Sequence, residues 1–154
     1  MWLAKEVIEI KVLFTFYIPS GGVETLNRQR CKALIQDGIE CHLLYYQQGT
    51  GMQNLHGDIP VFTTSSEEEI RKLVETHRYD AIIVSSDYPM LPRLRMLGYQ
   101  RILIYESQGF GPHEEAAWVV ADAVPYLQNY ADAVLLPDTT HLVNLFSTMC
   151  PWLN

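Results

Sequence analysis

The chain has 154 residues, with 18 acidic and 11 basic side chains and a net charge of −7. A domain of this size buries about 70% of the surface its unfolded chain exposes, so it needs neither disulfides nor a metal to fold. Scattered, outnumbered Lys and Arg exclude the basic stripe that nucleic-acid binding requires, and no apolar run approaches the ~20 residues of a membrane span.

The N-terminus, Met1-Trp2-Leu3-Ala4-Lys5-Glu6, lacks the apolar core of a secretory signal, so the expected compartment is the cytoplasm. The three cysteines, Cys31, Cys41 and Cys150, include no pair close in sequence; they build neither a disulfide framework nor a C-x-x-C site and are expected as buried free thiols.

Residues 1–10 read as an extension, and residues 11–154 as one domain. Lys11 to Ile18, rich in β-branched and aromatic residues, predicts a buried strand that ends at Pro19-Ser20-Gly21-Gly22. Val23 to Gln36 predicts a helix with Val23, Leu26, Cys31, Leu34 and Ile35 as its apolar stripe, stopped by Asp37-Gly38. A strand follows from Ile39 to Tyr46, then a polar loop from Gln47 to Asp58. Ile59 to Thr64 predicts a short strand, and Ser65 or Ser66 caps a helix from Glu67 to His77, whose first-turn glutamates suit the positive end of the helix dipole.

Asp80 to Ser86 is apolar without alternation, as in a parallel strand covered on both faces. Pro89 to Leu97 predicts a short helix ending at Gly98, Arg101 to Tyr105 a fifth strand, and His113 to Tyr130 a long helix that Pro125 should kink or divide. Ala133 to Leu136 is a sixth strand, and Asp138 or Thr139 caps a last helix to about Met149. Strands alternating with helices predict a Rossmann-like, doubly wound parallel α/β sheet of about six strands in a single domain.

Open parallel sheets bind ligands beyond the carboxyl ends of their strands. The segments at those ends are Pro19 to Glu24, Gln47 to Gly51, Thr64 to Ser66, Asp87 to Pro89, Glu106 to His113 and Pro137 to Thr140. The first is the most informative. Gly21 and Gly22 stand between strand and helix, where a missing Cβ permits positive φ and lets an anion, most plausibly a phosphate or diphosphate, reach backbone N–H groups at a helix start. The alternative is a plain glycine turn. A dinucleotide G-x-G-x-x-G fingerprint and a G-x-x-x-x-G-K-[ST] loop are both absent, which disfavours ordinary NAD and P-loop nucleotide sites.

Glu106, Gln108 and His113 combine carboxylate, amide and imidazole groups suited to sugar hydroxyls, and Asp87 with Tyr88 forms a second candidate pair. Glu24 reads either as a ligand contact or as a carboxylate favoured in a first helical turn. His42 and His77 read as structural or solvent-facing, and His56 and His141 have no partner at metal-ligand spacing. No metal or cofactor is expected.

The order strand, Pro19-Ser20, then Gly21-Gly22-Val23-Glu24 opening a helix resembles the G-G-x-E loop in the N-terminal domain of family 4 retaining glycosyltransferases of the two-domain GT-B fold. Gly38 before the second strand, Tyr79-Asp80-Ala81-Ile82-Ile83 and Tyr130-Ala131-Asp132-Ala133-Val134 extend the resemblance over residues 11 to 149. It implies that Gly21 and Gly22 approach the diphosphate or transferred sugar of a nucleotide-sugar donor, which is a substrate and no cofactor, and that nearby strand ends line the acceptor cleft. Glu106 stands where many members carry a histidine close to the transferred sugar.

The base pocket, the cations facing the diphosphate and a pair of glutamates separated by seven intervening residues would lie in a C-terminal Rossmann-like domain that this chain is expected to lack. Glu67 with Glu75 and Glu106 with Glu114 reproduce that spacing, but they fall in the wrong domain. The implied function is an acceptor-side half with little turnover alone. The alternatives are a non-catalytic α/β module binding a small polar ligand or a protein, and, third, half of a sugar-nucleotide epimerase. Peripheral membrane association would require Arg93, Arg95 and Arg101 to gather on one surface.

Overall fold

A computed structural model describes residues 8–19, 21–49, 59–108, 113–136 and 140–153, with the backbone alone at 21, 113–120, 140–142 and 153. Six parallel strands are β1 (Lys11–Phe16), β2 (Glu40–Tyr45), β3 (Val61–Thr63), β4 (Ala81–Ser85), β5 (Ile102–Glu106) and β6 (Ala133–Leu135). The helices are α1 (Gly21–Gln36), α2 (Glu67–His77), α3 (Met90–Met96), α4 (His113–Tyr130) and α5 (Thr140–Met149), followed by a 3-10 turn at Pro151–Leu153. The sheet order is β3-β2-β1-β4-β5-β6. The winding direction therefore reverses between β1 and β4, and in open parallel sheets the ligand crevice lies at that point, beyond the carboxyl edge.

Alternate residues of each strand enter two cores. Leu13, Leu44, Ile82, Val84, Leu103 and Tyr105 face one side and pack with residues of α2, α3, α4 and α5. Val12, Phe14, Cys41, Leu43, Tyr45 and Ile83 face the other and pack with Cys31 and Leu34 of α1. Burial on both faces accounts for the unbroken apolar run of β4. All three cysteines are buried and free, but Cys31 and Cys41 meet and share a hydrogen bond despite their distance in sequence.

The amino edge is pinned by aspartates that precede strands. Asp80 Oδ2 accepts the first N–H of β1, from Lys11, at 2.8 Å, and Asp132 Oδ2 accepts Leu103 N–H of β5 at 2.8 Å. The Tyr-Asp-Ala and Ala-Asp-Ala sequences are thereby explained as fasteners between neighbouring strands. Ser66 is the N-cap of α2, accepting Glu69 N–H at 3.4 Å, and the three glutamates follow as expected. Gly98 ends the α3 turn at φ +100°.

Most predicted elements shift at their ends by one or two residues, and three differences from the sequence reading matter here. α1 begins at Gly21 rather than Val23, so both glycines lie in its first turn. Pro125 does not divide α4, which runs unbroken from His113 to Tyr130; Asn129 Nδ2 donates to the Pro125 carbonyl at 2.7 Å. β5 ends at Glu106 rather than Tyr105, placing that carboxylate in the ladder opposite Ser85. The expected caps Asp138 and Thr139, and most of the Gln47 to Asp58 loop, lie outside the described residues. Among the described residues, no helix is long and apolar enough to cross a membrane.

Candidate functional site

The sequence reading assigned α1 an apolar buried stripe, and the structure corrects it. Leu26 and Ile35 are exposed, whereas Glu24 and Asn27 are buried with Cys31 on the side facing the sheet. Glu24, Asn27 and Arg30 form a polar row at three-residue spacing, and neighbours three apart share a helix face. The row survives burial only because partners arrive from the sheet.

Arg30 Nη1 donates to Glu106 Oε1 at 2.6 Å, Arg30 Nη2 donates to Asn27 Oδ1 at 2.6 Å, and Asn27 Nδ2 donates to the Tyr45 hydroxyl at 3.1 Å. The Arg30 guanidinium also lies 4.0 Å from the centre of the Phe14 ring. Ser85 Oγ donates to Glu106 Oε2 at 2.7 Å, and Gln108 Nε2 reaches Ser85 Oγ at 3.4 Å. Both oxygens of Glu106 are therefore engaged by the protein. The sequence reading had it facing ligand hydroxyls, but it stands chiefly as a neutralised anchor in the wall of the crevice.

Three polar atoms in this region are buried without a hydrogen-bond partner among the described residues: Glu24 Oε1, Ser107 Oγ and Arg30 Nε. Glu24 Oε1 lies 3.9 Å from Arg28 Nε, an ionic approach beyond hydrogen-bond length, and its side chain is 5% exposed. Buried carboxylates without donors are costly, so such an atom marks a place where a ligand or water completes the structure.

Gly22 does not need its glycine for backbone conformation, since among the described glycines positive φ occurs at Gly38 and Gly98. That corrects the expected positive-φ turn at this position. An added Cβ at Gly22 would meet nothing within 4 Å, so the first turn of α1 is open to approach.

Asp87 and Tyr88 lie on the opposite side of the carboxyl edge, against the four-helix layer. Asp87 accepts a hydrogen bond from Tyr17. Burial raises the Asp87 carboxyl above its ordinary pKa, with Tyr17 and Arg93 opposing the shift. Burial and the neighbouring Asp87 push the Tyr17 phenol up to about 12. Tyr88 donates to Asp122 of α4 and packs against Tyr126 with ring centres 5.1 Å apart. Ser86, just before this pair, holds φ +61°, a sparsely populated conformation for a residue with a Cβ.

The structure thus gathers Glu24, Glu106 and Gln108 on the α1 side and places Asp87 and Tyr88 across the edge. The His113 side chain lies outside the described residues, as does Ser20. Asn27, Arg30, Ser85 and Tyr17 escaped the sequence reading; the signal available for two of them was the Glu24-Asn27-Arg30 spacing. Arg95 and Arg101 lie together, Arg95 Nη1 donating to the Arg101 carbonyl at 2.7 Å, but Arg101 pairs with Asp80 at 2.8 Å and Arg95 with Asp132 at 3.0 Å. Among the described residues no group of His, Cys, Asp and Glu is arranged to hold a metal.

No family model matches the chain, and no curated protein matches it in sequence. Among solved structures, it is similar to Anabaena HepE (Alr3699), crystallised in complex with UDP and glucose, with a TM-score of 0.64 and 20% identity. The superposition covers 92% of this chain and 41% of HepE. The two share a fold, and this chain spans less than half the length of that neighbour.

Proposed function

We propose that the chain is the N-terminal, acceptor-side half of a GT-B glycosyltransferase of the family 4 kind, which moves a sugar from a nucleotide-sugar donor to an acceptor. The observation that carries this reading is the buried Glu24 Oε1, without a hydrogen-bond partner among the described residues, in the first turn of α1, the helix that follows β1 at the reversal of the sheet. HepE, similar in fold, holds UDP and glucose, and the G-G-x-E sequence opens the same helix here.

In this reading, N–H groups at Gly21 and Gly22 receive the diphosphate, where the helix dipole and unpaired donors favour negative charge. Glu24 and Gln108 take hydroxyls of the sugar or acceptor, while Asp87 and Tyr88 line the other wall. Catalysis needs positive charge on the leaving diphosphate. With Arg30 committed to Glu106, that charge comes from a second α/β domain, and the chain alone turns over little or nothing.

Fusing the chain to a downstream domain that carries the diphosphate cations and assaying sugar transfer tests the proposal. Gly22→Leu should abolish transfer without unfolding the protein; full activity in that variant sinks it. The engagement of both Glu106 oxygens favours one competing reading, a non-catalytic module that binds a small polar ligand or a protein. That module would show no transfer in any fused form.

A further inference from the structure

We propose that Arg30, acting through Glu106 and Ser85, fixes the amide of Gln108 so that its carbonyl Oε1 is the group offered to the crevice, making this a subsite for a sugar or acceptor hydroxyl and not for an anion. The inference rests on the reading of the crevice as a donor and acceptor site.

The argument follows hydrogen-bond polarity from one permanently charged group. A guanidinium only donates, so Asn27 must turn Oδ1 toward Arg30 Nη2 and leave Nδ2 for Tyr45, which is the arrangement present. Glu106, paired with Arg30 Nη1 at 2.6 Å, acts as an acceptor. Its Oε2 therefore requires a donor, and the buried Ser85 hydroxyl supplies its only proton there. Ser85 Oγ is left with lone pairs alone, so Gln108 must approach it with Nε2, as it does at 3.4 Å.

Turning the Gln108 amide over would set carbonyl oxygen against hydroxyl lone pairs. With Nε2 committed inward, Oε1 is the remaining acceptor, and an anion at that point would face its lone pairs. A hydroxyl donates to it. Anion and hydroxyl are thereby sorted: phosphate to the α1 N-terminus, hydroxyl to Gln108. Arg30 touches neither and is a positioning residue.

The test uses this chain labelled with ¹⁵N at glutamine side chains. The Gln108 NH₂ protons should exchange at least about tenfold more slowly than those of the exposed Gln36 and Gln128. Arg30→Met should remove that protection and Arg30→Lys should restore part of it. Ser85→Ala, which disturbs no charge, should remove it too, and serves if Arg30→Met fails to fold. In titrations, glucose should shift the Gln108 side-chain resonances, whereas UDP should shift the Gly22 backbone amide and leave Gln108 in place.

Free exchange at Gln108 in the native chain, or protection that outlasts both Arg30→Met and Ser85→Ala, overturns the proposal. So does UDP moving Gln108 more than glucose does. A protected Gln108 that glucose leaves untouched refutes the hydroxyl assignment; UDP shifting Gly22 in the same series would show that the donor reading of the crevice survives it.

Discussion

The two edges of the sheet both carry charged clusters, yet they differ in how completely those clusters are closed. At the amino edge the clustered charges are taken up in structural tasks. Asp80 and Asp132 fasten neighbouring strands and take Arg101 and Arg95, while Lys11 pairs with Glu40 at 3.4 Å. Buried His42 completes the set, with Nδ1 at 2.8 Å from the Tyr79 hydroxyl and Nε2 at 2.8 Å from Glu40. At the carboxyl edge, the Arg30 and Glu106 pair is enclosed by Asn27, Ser85 and Tyr45, but Glu24 Oε1, Arg30 Nε and Ser107 Oγ have no hydrogen-bond partner among the described residues. Charge clusters alone do not mark a functional site; unfinished hydrogen bonding near the switch point is what sets the carboxyl edge apart.

Removing a partner from the closed pair at the carboxyl edge should have the largest effect. Arg30→Met leaves a buried carboxylate uncompensated and should cost about 3 kcal/mol in urea unfolding, whereas Arg30→Met with Glu106→Met should recover most of it. A double variant no more stable than the single one would show that Glu106 is not the group left stranded. The orphan should behave oppositely. Glu24→Met should raise stability by about 1 kcal/mol while weakening UDP or glucose binding, because the native residue serves a ligand at the expense of the fold. Lower stability in that variant would mean that Glu24 is a structural member of the cluster.

Acid should open the amino edge. Burial holds His42 below its ordinary pKa, with His77 and Lys11 acting in the same direction and Glu40 against it. The native state therefore binds fewer protons than the unfolded chain, and the stability contributed by neutral His42 is lost as pH falls through and below about 6.5. Melting temperature should drop from pH 7 to 5.5, and less steeply in His42→Gln; equal slopes would clear His42 of the effect. The smallest change belongs to the exposed pair. Arg101→Ala should cost no more than about 0.5 kcal/mol, and a loss of several times that would show that Asp80 depends on it to hold β1.

Much of the fold was legible because apolar runs such as Ala-Ile-Ile-Val in β4 have one reading in an alternating α/β chain. Segments at the carboxyl ends were legible for the same topological reason. The inside of the site was not. A periodicity reading buries Leu26 and Ile35, but α1 buries Glu24 and Asn27 because Arg30 finds Glu106, 76 positions away, and no local pattern announces that partner. Gly21-Gly22 was read as a positive-φ link between strand and helix, but both glycines fall within α1 and Gly22 has no positive φ, a difference that spacing does not reveal. Glu106 read as free because Ser85 and Arg30 reach it only through the register of β4 and β5.

The most direct test of the central claim, that an anion is received at the first turn of α1, is a UDP titration of this chain and of Gly22→Leu followed by backbone amide shifts. The expected result is weak binding with shifts confined to residues 21–24 and their neighbours, lost in Gly22→Leu although its melting temperature is kept or raised, since a Cβ there meets open space. Tight binding by the chain alone, or shifts elsewhere that persist in Gly22→Leu, would contradict it.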